Sequence, residues 1–82
     1  MFEISIQLFA VARDLAGCKT ITLALPECAT VAMLREKLFA QVPALVPLAE
    51  SVQIAVDQEY ATDATQLTAA QEVALIPPVS GG

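Results

Sequence analysis

Hydrophobic and polar residues alternate from the start of the chain. Phe2, Ile4, Ile6 and Leu8 share one parity; Glu3, Ser5, Gln7 and Phe9 share the other. A repeat of two marks a strand with one buried face. Phe9 is the odd residue, an aromatic on the polar parity. It reads either as cover for the sheet edge or as an exposed anchor for a partner. Residues 10–16 read as one or two helical turns, with Gly17 placed as a C-cap. Residues 20–25 alternate again, with Ile21, Leu23 and Leu25 inward, and their threonines suit a strand. The two strands can pair as an antiparallel hairpin with a wide loop.

The period then changes. Pro26 closes the second strand and Thr30 is a good N-cap. Val31, Leu34 and Leu38, spaced by three and four, define one face of a helix over residues 31–40. Arg35, Glu36 and Lys37 lie off that stripe and are expected in solvent, with Met33 and Phe39 at the core edges. Pro43 ends the helix, because the residue before a proline is pushed out of the α region. Residues 43–50 read as an apolar loop packed on the helix end, with a second proline at Pro47. Val52, Ile54 and Val56 alternate as a third strand. A turn at 57–58 and a short returning strand at 59–61 follow. Residues 62–71 are polar and alanine-rich, a loop with one helical turn around Thr65-Gln66-Leu67. The last strand, 72–76, is apolar at both parities, which predicts a central strand covered on both faces.

One helix must then cover one face of one mixed sheet, an α+β arrangement. The in-phase positions predict a single core of Ile4, Ile6, Leu8, Ile21, Leu23, Val31, Leu34, Leu38, Val52, Ile54, Val73 and Leu75.

Composition narrows the function more than the fold. The 82 residues make one domain. Four scattered cations against nine carboxylates give a net charge of −5, with no basic stripe for nucleic acid. An acidic surface suits a partner with a basic groove. Cys18 and Cys28 are the only cysteines. Two ligands cannot close a tetrahedral zinc site, and a two-iron ferredoxin centre needs four. A single disulfide stays open from sequence. Two small hydrophobes in a reducing cytosol is the reading preferred. The chain has no histidine and no tryptophan, and no G-x-x-x-x-G-K-[ST] phosphate loop. Neither lysine, Lys19 or Lys37, sits in a catalytic motif. No signal-like opening is seen. The longest apolar run, residues 42–49, carries two prolines and is too short for a bilayer. The expectation is a cytoplasmic protein with no membrane association and no metal.

What remains is the C-terminal end, Pro77-Pro78-Val79-Ser80-Gly81-Gly82. The chain has three glycines, and two of them are its last residues. Glycine carries no Cβ, so this tip is thin and conformationally free. The two prolines before it make a stiff neck. A domain over 1–76 with a flexible tail over 77–82 is the organisation expected.

The segment Pro77-Pro78-Val79-Ser80-Gly81-Gly82, following Glu72-Val73-Ala74-Leu75-Ile76, resembles the end of the small, sulfur-carrying subunits of molybdopterin synthase. Leu8-Phe9-Ala10-Val11-Ala12-Arg13-Asp14-Leu15-Ala16-Gly17, Thr30-Val31 and Val52-Gln53-Ile54-Ala55-Val56-Asp57-Gln58-Glu59 are similar to further segments of that family. Two departures are Asp57, where Asn is commoner, and Ala69-Ala70-Gln71, where the family often has an Asp-Gly-Asp type of turn. Lacking glycine, that turn cannot cheaply use positive φ.

The resemblance implies a ubiquitin-like β-grasp fold, with first and last strands as parallel neighbours. It implies that the carboxylate of Gly82 is adenylated with ATP by a partner enzyme similar to those that activate ubiquitin. A sulfur donor protein then turns it into a thiocarboxylate. Inside the large synthase subunit that group delivers sulfur to a pyranopterin precursor. The expected assembly is a heterotetramer in which this chain binds no cofactor and is not an enzyme alone. Gly81, Ser80 and Val79 would form the slim tail, and Phe9, Pro77 and Pro78 the contact with partners. Two alternatives stay open. One is a carrier for another pathway, such as thiamin synthesis, or a ubiquitin-like modifier joined through Gly82 to lysine. The other is a plain protein-binding module with an inert tail.

Overall fold

The computed structural model describes residues 1–77. Its elements in chain order are β1 (Phe2–Leu8), α1 (Ala10–Ala16), β2 (Thr20–Leu25), α2 (Val31–Gln41), a 3-10 helix (Pro43–Leu48), β3 (Gln53–Val56), β4 (Glu59–Tyr60) and β5 (Val73–Ile76). The five strands form one sheet in the order β2-β1-β5-β3-β4. β1 pairs with β2 antiparallel, Ile4 opposite Leu23 and Ile6 opposite Ile21. It pairs with β5 in parallel, Ile6 opposite Val73 and Leu8 opposite Leu75. The last strand is therefore central and lies parallel to the first.

The alternation works as expected. Every one of the core positions expected from phase is buried, and Leu25, Ala12, Ala29, Leu45, Val56 and Leu67 join them. The helices lie on one side of the sheet only. Val31, Leu34 and Leu38 are the buried face of α2. Thr30 Oγ1 accepts from the Met33 N–H at 3.4 Å, the side-chain cap expected of it. Gly17 ends α1 at φ 75, its N–H donating to the Arg13 carbonyl at 2.9 Å.

Four expectations are corrected. Residues 43–48 are a 3-10 helix rather than a loop, with Pro43 at its start and Leu45 fully buried. Proline is tolerated in the first turn because that N–H has no intrahelical partner anyway.

Thr65-Gln66-Leu67 forms no helical turn. Gln66 bridges Thr30 in antiparallel fashion. The Asp63 and Thr65 carbonyls accept from Ala32 N–H at 3.1 Å and Val31 N–H at 2.9 Å. The loop satisfies the orphan donors at the start of α2. A turn of this loop lies earlier, closed by the Thr65 N–H donating to the Thr62 carbonyl at 3.1 Å.

Arg35 is not solvated. Its guanidinium donates to the Ala49 and Val52 carbonyls, sits 6.0 Å from the Phe39 ring centroid and lies 3.9 Å from Asp63 Oδ1. One side chain thereby ties α2 to the end of the 3-10 helix, the start of β3 and the long loop.

Cys18 and Cys28 are both free and both exposed, so they are neither a disulfide nor buried hydrophobes.

The turn at 57–58 carries the backbone strain that glycine usually absorbs. Asp57 has φ 51 and Gln58 φ 70, the pattern of a type I′ hairpin turn. The Asp57 side chain is tied down, its Oδ1 accepting from the Glu72 N–H at 3.0 Å while its N–H donates to the Glu72 carbonyl at 2.8 Å. The turn at 69–71 needs no positive φ. It closes with the Gln71 N–H on the Thr68 carbonyl at 3.3 Å, and the Gln71 side chain accepts from the Thr68 N–H at 2.8 Å.

Candidate functional site

Among the described residues nothing covers the face of the sheet away from the helices. β5 was expected to be covered on both sides. Its Val73 and Leu75 are buried in the core, whereas Ala74 and Ile76 are only half-buried and look out on the open face. Helices cover one side only, so apolar residues of the second parity face outward.

Around Ala74 and Ile76 lies a shallow groove of about 450 Å³ lined also by Gln7, Phe9, Ala55, Gln58, Tyr60 and Glu72. Three strands place these side chains. Ala55 of β3 lies between Tyr60 of β4 and Ala74 of β5 in the register, so all three share the open face. Gln7 of β1 is opposite Ala74.

Phe9 continues the outward parity past the end of β1. It is 47% exposed and caps α1 with extended backbone angles. β1 is an interior strand, so Phe9 covers no sheet edge. Of its two readings, the exposed aromatic is the one realised. Tyr60, 69% exposed, was missed by sequence reasoning. Its signal was available: an aromatic in a returning strand, paired with the outward Ala55.

Pro77, the last described residue, is buried. It belongs to the body and not to the exposed surface expected of it. Pro78, Val79, Ser80, Gly81 and Gly82 lie outside the described residues. Because β5 runs parallel to β1, the chain leaves β5 at the end of the sheet where Phe9 stands. Among the described residues no cluster of His, Cys, Asp or Glu could hold a metal ion, and no helix is long and apolar enough to cross a membrane. Among the described residues the groove holds one carboxylate, Glu72, and one phenol, Tyr60, with no histidine, cysteine or lysine beside them. What it offers is a half-apolar surface with two exposed aromatics beside the exit of the C-terminal segment.

A mixed sheet with parallel first and last strands, one long helix on one side and a bare opposite face is a ubiquitin-like β-grasp fold. The chain belongs to the ThiS family, whose model matches residues 6–82. It is 38% identical over 80 residues to the molybdopterin synthase sulfur carrier subunit of Arabidopsis thaliana, covering 98% of this chain and 83% of that protein. Among solved structures it is similar to SAMP1 from Haloferax volcanii, with a TM-score of 0.87, 28% identity, and coverage of 98% and 99% of the two chains. It is also similar to the putative molybdopterin converting factor subunit 1 from Pyrococcus furiosus, with a TM-score of 0.85, 28% identity, and coverage of 96% and 100%.

Proposed function

We propose that this chain is the sulfur carrier of a molybdopterin synthase. Its open face docks on the large subunit, and Gly82 carries the sulfur. The observation that carries this reading is the exposed Phe9–Tyr60 groove at the exit of β5, in a chain whose full-length relatives bear that name.

The chemistry follows from the terminus. A free carboxylate is a poor acyl donor, because oxide is a bad leaving group. Adenylation by an activating enzyme, using ATP, replaces it with AMP, a good one. Hydrosulfide delivered by a donor protein displaces AMP, its proton passing to solvent, and leaves a thiocarboxylate on Gly82. That soft nucleophile then attacks the pyranopterin precursor in the large subunit, and hydrolysis of the resulting thioester leaves the sulfur on the precursor and returns the Gly82 carboxylate. This chain supplies reach and shape. The five residues after Pro77 extend roughly 16 Å at about 3.3 Å each, and the missing side chains of Gly81 and Gly82 let the tip enter a narrow channel. No cofactor is bound by this chain, and the acid, base and substrate site belong to the partner.

The test is the intact mass of the protein after incubation with ATP, a sulfur source and its cognate activating enzyme. Exchange of one terminal oxygen for sulfur is expected. An unchanged mass under conditions that load a known carrier would refute the proposal.

A second reading has its own support. The match to SAMP1, a small archaeal modifier protein, favours a modifier whose Gly82 is joined to a lysine of another protein. The two readings share activation and part afterwards. Conjugates on other proteins, found by mass spectrometry as a lysine in isopeptide linkage to a C-terminal fragment of this chain, would mark the second.

A further inference from the structure

The sheet has two edges, and they are built differently. β4 is two residues long, and short edges resist pairing. β2 is six residues long, Thr20-Ile21-Thr22-Leu23-Ala24-Leu25. It has no charge, no proline and an unbroken register with β1. None of the usual devices that blunt an edge is present in it.

Its backbone phase is known. The Leu8 N–H donates to the Lys19 carbonyl at 2.8 Å, so residues of that parity face β1 along the ladder. In an antiparallel pair this parity alternates. Ile21, Leu23 and Leu25 therefore spend their backbone groups on β1, and Thr20, Thr22 and Ala24 turn theirs outward. No loop, cap or side chain reaches these outward groups among the described residues. A row of unpaired N–H and C=O groups is a template for another strand.

We propose that the β2 edge pairs antiparallel with β2 of a second copy of this chain, joining two sheets across a two-fold axis near Thr22. Thr22 then faces Thr22 of the second copy, and Thr20 faces Ala24. Charge argues for a second copy over an unrelated strand. Lys19 precedes the strand and Glu27 follows it, so antiparallel pairing brings each lysine toward the glutamate of the other copy. Glu27 is exposed, and among the described residues it pairs with the N-terminus alone, at 3.4 Å.

An axis perpendicular to the sheet also keeps both α2 helices on the same side. The apolar groove between α2 and the end of β2 holds Leu25, Pro26, Met33, Glu36, Lys37 and Ala40. Met33 is 41% exposed there. Side by side and antiparallel, the helices would cover Met33 and set Glu36 of one copy toward Lys37 of the other. The Phe9–Tyr60 groove lies on the open face over β1, β5, β3 and β4, and β5 is two strands from β2 in the sheet order, so pairing at the β2 edge covers neither.

An interface of one strand pair lies below the ~1,200 Å² of standard complexes, so it is a weak one. The full chain, labelled with ¹⁵N, is therefore followed by NMR and sedimentation equilibrium from roughly 20 µM to 1 mM, where a Kd near 1 mM registers. The amides of Thr20, Thr22 and Ala24 should shift with concentration while the mass rises toward a dimer. Thr22→Pro removes an outward N–H at a position where an edge strand tolerates proline. Thr22→Lys sets like charges face to face across the axis. Both should abolish the shifts with the fold intact by circular dichroism, and either one that folds serves as the test. Lys19→Glu should weaken association, and adding Glu27→Lys should restore it. A monomer with unchanged amides at 1 mM overturns the proposal. So does a dimer that survives in a folded Thr22 variant, or one whose shifts centre on Phe9 and Tyr60. Shifts produced by an unrelated strand peptide but not by the chain itself would overturn it as well.

Discussion

The two faces of the sheet follow one alternation to opposite ends. On the helix side Ile4, Ile6, Leu8, Ile21, Leu23, Ile54, Val73 and Leu75 are sealed by α1, α2 and the 3-10 helix. On the other side Gln7, Phe9, Tyr60, Ala74 and Ile76 meet solvent. The covered face accounts for stability. The open face contributes little to it, yet it keeps aromatic and aliphatic residues where a free-standing domain needs only polar ones. The contrast separates what the fold requires from what a partner requires, and each variant below is a way to break it.

Leu34→Ala opens a cavity in the sealed face. It should cost about 2–5 kcal/mol, measured by urea denaturation, with affinity for the large subunit unchanged in the fraction that folds. A loss below about 0.5 kcal/mol would mean that α2 does not seal the core through Leu34. Arg35→Ala removes charged hydrogen bonds to two carbonyls on the same side. About 1–3 kcal/mol is expected, read by the same titration.

Phe9→Ala and Tyr60→Ala attack the open face. Exposed aromatics at interfaces commonly contribute more than about 1 kcal/mol each to binding. Affinity for the large subunit should fall about tenfold by calorimetry, while the midpoint of unfolding stays within error. If stability falls and affinity holds, Phe9 belongs to the body and the contrast fails. The smallest effect is expected at the turn between β3 and β4. Gln58→Gly relieves a left-handed backbone that costs a side-chain-bearing residue about 1–2 kcal/mol. The chain should gain up to about 1 kcal/mol, less what glycine adds to the freedom of the unfolded state.

The covered face was the legible one. Period two at residues 2–8, 20–25 and 52–56, and the three-four spacing of Val31, Leu34 and Leu38, are local patterns imposed by a single apolar environment. Thr30 and Gly17 were readable as caps for the same reason, since each satisfies groups a few residues away. Long-range contacts were not legible. Leu45 and Leu67 lie in segments with no period, and only the folded chain brings them to the core. Arg35 looked solvated because its partners, the Ala49 and Val52 carbonyls, are backbone atoms that leave no mark in sequence. The bare side of β5 was misread because an apolar strand looks alike whether a helix of its own chain or another protein covers it. Phe9 stood out by phase, and Tyr60 did not, because a two-residue strand is too short to show one. The tail lies outside the described residues, and its reading rests on the placement of Gly81 and Gly82 in the sequence.

The central claim is that fold and function part company at the end of β5, and deletion of Gly82 tests it most directly. The deletion withdraws the acyl carbon by one residue, roughly 3.3 Å along an extended chain. A misplacement of about 1 Å can cost a positioned reaction 100-fold. The measurement is the intact mass of the shortened chain after incubation with ATP, a sulfur source and the activating enzyme, beside its melting temperature. We expect an unchanged melting temperature and no oxygen-to-sulfur exchange. Full sulfur loading of the shortened chain would contradict the carrier reading and leave a protein-binding module with an inert tail.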